Sequence, residues 1–158
     1  LEASSLREAT TIATAPGRAF PWHHNLASLP EARLVSVETW PGRHSVQEVQ
    51  GLWLHTNHLL RGDIAAGGEQ GAYVASSSRP RFEALQGRAT AKAPSTRDDV
   101  LDMLCDRGSA PEGCGVYRLP GDKVPGVTVG TVTFESPRIE MILVEGSPCT
   151  GRRRVARP

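Results

Sequence analysis

Apolar residues recur at helical spacing from Ser5 to Ala13, where Leu6, Ala9, Ile12 and Ala13 share a face. Pro16-Gly17 ends that pattern. The period then changes. From Arg33 to Thr39 the chain alternates, with Leu34, Ser36 and Glu38 set against Val35 and Val37, as a strand does. Pro41-Gly42 marks a turn, and two further strands are predicted, His44 to Val49 and Leu52 to Leu54. Adjacent strands joined by short turns make an antiparallel meander. Ahead of them, Pro21-Trp22-His23-His24-Asn25-Leu26 reads as a polar-aromatic stretch leading towards Pro30, and Arg61 to Gly71 reads as a loop rich in Gly and Ala.

Ser76-Ser77-Ser78 offers helix caps, Pro80 is tolerated in a first turn, and Phe82 and Leu85 carry a helix to Gly87. A second helix is predicted from near Ser95 or Thr96, with Asp98 and Asp99 suited to the positive helix start. Val100, Leu101 and Leu104 form its expected buried face, and Gly108 closes it. After a loop with Pro111, Gly113 and Gly115, Val127 to Phe134 alternates, Ser136-Pro137 turns, and Ile139 to Val144 returns as a hairpin strand. This order predicts an α+β layered fold with antiparallel sheets. The strands need not close their own sheet, which would leave open edges.

A chain of 158 residues fits one domain, expected over 1–150, with 151–158 as a basic tail. The run Arg152-Arg153-Arg154 then reads as a solvated end. A net charge of +1 gives no reason to expect nucleic acid or an anionic membrane as partner. No apolar run nears the roughly 18 residues of a spanning helix, and no basic-then-apolar signal opens the chain. Three cysteines, an odd number, argue against a disulfide framework. Reduced thiols in a cytoplasmic protein are expected, with a Cys105–Cys114 bridge as the alternative. The chain begins at Leu1 rather than Met, which reads as a fragment, a processed product or a trimmed chain.

The chemistry concentrates at His55-Thr56-Asn57-His58, where the apolar run Leu52-Trp53-Leu54 stops. His55 and His58 are candidate substrate-binding residues. The Asn57 carboxamide supplies two neutral donors, which suits a developing oxyanion without titrating. The same residues could instead only shape a turn. A zinc site is not expected: there is no HExxH helix, and side chains three apart on a strand point to opposite faces. There is no GxSxG elbow, and Gly67-Gly68 does not meet a phosphate-loop pattern, so no cofactor is expected. His23, His24 and His44 read as surface or turn residues.

Three segments together carry a resemblance. His55-Thr56-Asn57-His58, then Ser77-Ser78-Arg79-Pro80-Arg81-Phe82, then Arg138 to Cys149 with its Gly146-Ser147-Pro148-Cys149 ending, occur in that order. They resemble the C-terminal part of the acyl-coenzyme A:6-aminopenicillanic acid acyltransferase family, the C45 peptidases. The resemblance implies an N-terminal nucleophile hydrolase with an αββα sandwich, in which a self-cleaved proenzyme exposes a cysteine whose α-amino group acts as base. It implies catalytic roles for Asn57, in the oxyanion site, and for Arg81, in ordering the nucleophile region. The substrate would be a small amide or acyl thioester. The nucleophile would lie on a missing N-terminal part or a separate subunit, since Cys105, Cys114 and Cys149 are internal; Cys149 matches a structural position. A non-catalytic binding or structural module, truncated or degenerate, is the alternative.

Overall fold

Ser5 starts the first helix, its hydroxyl accepting from the Glu8 N–H at 3.2 Å. This helix, α1 (Leu6–Ala13), lays Leu6 and Ala13 on Val35 and Val37, with Leu26 packed at the margin. Each buried valine is worth about 2 kcal/mol of transfer free energy. The computed structural model describes residues 3–17, 19–61, 77–108, 115–122, 126–136 and 140–157. They belong to two compact units, Leu1–Gln70 and Gly71–Pro158, each with its own three-stranded antiparallel sheet. The architecture is α+β.

In the first unit the sheet is β1 (Trp22–Ser28), β2 (Arg33–Trp40) and β3 (Arg43–Val49), in that order. Gly42 makes the β2–β3 turn at φ 76°, a conformation that suits a residue without Cβ. Directly paired residues share a face. Val37 therefore lies with His24 and Val46 on the helix side, while Glu38 lies with His23 and Ser45, and Ser36 with Asn25 and Gln47, on the other. One side of the sheet is an apolar seat for α1. The other is polar.

Two expectations change here. The stretch from Trp22 is a strand, β1, not a loop-like approach to Pro30. Leu52 to Leu54 is not a strand: residues 50–61 pair with no strand among the described residues. Of the loop expected over Arg61 to Gly71, only Arg61 is among the described residues.

In the second unit, α2 (Arg79–Ala91) runs past Gly87, because one helical glycine costs only about 1 kcal/mol. Ser78 is helical and makes no side-chain cap; Ser77 and Ser78 form a wide, buried turn leading into the helix. Ser76 lies outside the described residues. The next helix, α3 (Arg97–Leu104), has a full capping box: Thr96 accepts from the Asp99 N–H, and Asp99 accepts from the Thr96 N–H. It buries Leu101 and Met103, whereas Val100 is exposed, and it ends at Leu104, before Gly108.

The sheet of this unit is β4 (Gly130–Glu135), β5 (Glu140–Glu145) and β6 (Arg152–Ala156). Ile142 and Val144 pack with Leu101 of α3. The residues expected as a tail are thus a strand, with backbone paired to β5 from Glu145↔Arg152 to Met141↔Ala156. All five side chains of β6 are exposed, so no apolar pattern announced it. The expectation of reduced thiols is also overturned: Cys105, at the end of α3, is disulfide-bonded to Cys149, with Cα atoms 5.4 Å apart. Cys114 lies outside the described residues. Among those residues, no helix is long and apolar enough to cross a membrane.

Candidate functional site

Glu38, in the middle of β2, is 2% exposed. A carboxylate so placed needs donors, because leaving it unpaired in the interior costs several kcal/mol. Three donors meet it. His55 Nε2 lies 2.7 Å from Oε1, the Leu60 N–H donates to the same oxygen at 2.7 Å, and the Arg61 N–H donates to Oε2 at 3.0 Å. An ionised carboxylate only accepts, so His55 Nε2 carries the hydrogen. Burial alone pushes the Glu38 carboxyl up. The bonds from His55, Leu60 and Arg61 outweigh it and hold the group below the ordinary carboxylate range.

The His23 ring stacks on His55, and its Nε2 lies 2.9 Å from Ser36 Oγ. Burial first, and the neighbouring His55 second, lower the His23 pKa to about 4, against the pull of Glu38. His23 is therefore neutral near pH 7. The register explains the cluster: His23 pairs with Glu38, and Ser36 is two residues along β2 on the same face.

The segment carrying the sequence motif crosses this polar face. Its Trp53, Leu54, His55 and Thr56 are half-buried, Asn57 is exposed, and His58 and Leu59 are buried. Thr56 Oγ1 lies 3.1 Å from His58 Nδ1. The two motif histidines point to different partners, His55 to Glu38 and His58 to Thr56. Arg61 extends its guanidinium to Gln47 Oε1 at 3.0 Å on β3.

Arg81 belongs to the second unit, in the first turn of α2, half-buried, with Nε donating to the Ser77 carbonyl at 3.3 Å. Arg118, 8% exposed, donates through Nη2 to Ser77 Oγ. Two arginines thus converge on one buried serine. Sequence reasoning found Arg81 and missed Arg118, which no motif marks. It also missed Glu38 and His23, because their value lies in cross-strand pairing and not in spacing along the chain. Compared with models of known protein families and with curated proteins, this chain matches none.

Proposed function

We propose that this chain is the C-terminal portion of an N-terminal cysteine amidohydrolase or acyltransferase, acting on small amide or acyl-thioester substrates. In this reading its sheets belong to an αββα sandwich. The nucleophilic cysteine comes from an N-terminal part or a separate subunit. Asn57 donates to the oxyanion, Arg81 orders the nucleophile region, and His55 and His58 flank the substrate-facing carboxamide.

The observation that carries the reading is the exposure of Asn57 within a motif whose other members are half-buried or buried. A neutral carboxamide that is accessible in this way can donate to a developing oxyanion without titrating. A second feature agrees. On β4 and β5, Val132, Phe134 and Met141 face outward and are exposed, Phe134 by 79%. A further layer of a sandwich would cover such an apolar strip. The cytoplasmic expectation rested on the lack of a recognisable secretion signal, and the Cys105–Cys149 bridge counts against the reduced thiols expected with it.

The test is an enzyme assembled from this chain and a cysteine-bearing N-terminal part. Self-cleavage before that cysteine and an acyl adduct on it are expected. Asn57→Ala should lower kcat by about 10²–10³, with a much smaller change in KM. Full kcat in a folded Asn57→Ala enzyme would remove Asn57 from the mechanism. A covalent intermediate on Cys105, Cys114 or Cys149 would overturn the reading altogether.

A further inference from the structure

The segment from Gln50 to Arg61 has no strand partner among the described residues. One buried side chain reaches it at three points. Glu38 binds His55 on one side of Asn57, and the Leu60 and Arg61 N–H groups on the other. These contacts span sequence separations of 17 to 23 residues, so local turn preference does not account for them. Hydrogen bonds to an ionised group are roughly twice as strong as neutral ones, and here both carboxylate oxygens are engaged.

We infer that Glu38 is the positioning residue for Asn57: its buried carboxylate, bonded on both sides of that residue, sets where the carboxamide is held. The inference rests on the oxyanion role proposed for Asn57. Glu38 itself does not touch substrate and acts through the segment. The groups facing it are His23 from β1 and Ser45 from β3, by register, and His55 from the segment, while the Arg61 guanidinium is turned to Gln47. A shorter acid would keep the charge but not the reach. The matching amide would keep the shape but replace one acceptor with a donor, directed at a group that already donates.

The experiment has two readouts. In the chain itself, residue-resolved amide hydrogen exchange is compared for wild type, Glu38→Gln and Glu38→Asp. In Glu38→Gln, exchange at Leu60 and Arg61 should accelerate about tenfold or more, as loss of a charge-assisted bond implies. The β2–β3 ladder should stay protected, and Glu38→Asp should recover part of the protection. In the assembled enzyme, Glu38→Gln should lower kcat about tenfold with KM little changed. Added to Asn57→Ala it should cost nothing more, because it acts through that residue. Unchanged exchange at Leu60 and Arg61 would overturn the inference. So would protection lost equally throughout β1–β3, or full kcat in Glu38→Gln when Asn57→Ala is impaired. If Asn57→Ala keeps full kcat, the oxyanion role fails on its own, and the exchange data still decide whether Glu38 holds the segment.

Discussion

The imidazole rings of His23 and His55 lie face to face, with centroids 3.5 Å apart and planes 8° from parallel. Two protonated rings at that distance would repel strongly in a half-buried setting. The pair is resolved by giving the rings different work. His55 donates to the carboxylate of Glu38, and His23 stays neutral against Ser36.

This arrangement makes the first unit sensitive to acid. In an unfolded chain His23 takes up a proton near pH 6.5, but in the native state only near 4. Between those values the unfolded state binds the proton and the native state does not, so stability falls as pH falls. The depressed Glu38 carboxyl acts in the same direction at lower pH: its contribution is lost as pH drops through its native pKa. Urea midpoints should be level above about pH 6.5 and decline towards 4. His23→Phe, which keeps a stacking ring without a titrating nitrogen, should flatten the decline in that window. An unchanged slope in this variant would remove His23 as its source.

The bridge from Cys105 to Cys149 closes 44 residues of sequence. A loop of that size is worth at most about 4 kcal/mol in the chain-entropy account. Non-reducing peptide mapping should find these two cysteines linked. Dithiothreitol should lower the denaturation midpoint of the second unit, and a reduced protein with the same midpoint would show the bridge to be energetically idle.

Gly151 closes the turn between β5 and β6. A methyl group there would overlap the carbonyl oxygens of Glu145 and Ser147, and its own N–H is committed to Ser147 at 2.8 Å. Gly151→Ala should therefore cost about 1–3 kcal/mol, as overpacking does. Calorimetry showing an unchanged Tm would mean that the turn adapts.

At the start of α3, Thr96→Ala removes one member of the capping box and should cost about 1 kcal/mol. Asp99 is held well below the ordinary carboxylate range, first by Lys92 and then by Thr96 and Ser95. Its contribution is present above that range and lost as pH falls through the native value. A helix whose unfolding midpoint ignores both Thr96→Ala and acid would contradict the capping account.

Elements built from local signals were legible. Leu6 and Ala13 on the face of α1, the β2–β3 hairpin around Pro41-Gly42 and the acidic start of α3 match their sequence cues, whereas Ile12 of that face is exposed. What escaped was non-local. β1 was hidden because His23 and Asn25 face the polar side of the sheet, so its alternation looked like a polar loop. The strand expected at Leu52 has the right residues, yet the following segment draws its acceptors from Glu38 and not from a neighbouring strand. Of the site, the sequence displayed Asn57, His55 and His58 but not the carboxylate beneath them. β6 is held by its backbone ladder and by ion pairs such as Arg154–Glu145 at 2.6 Å, and its exposed side chains carry no core signal.

The bridge also sets an order of events during synthesis. Cys149 is made 44 residues after Cys105, which at about 5–20 residues per second leaves Cys105 a thiol for roughly 2–9 s. Cys114 emerges earlier in that interval. Correct pairing therefore requires Cys105 to pass over the cysteine nearer to it in sequence and wait for β5 and its following turn. Maturation of the second unit then depends on an external disulfide oxidant, which accepts the two electrons of the Cys105 and Cys149 thiols through a mixed disulfide, as well as on packing, and a chain halted before residue 149 leaves the end of α3 without its covalent anchor.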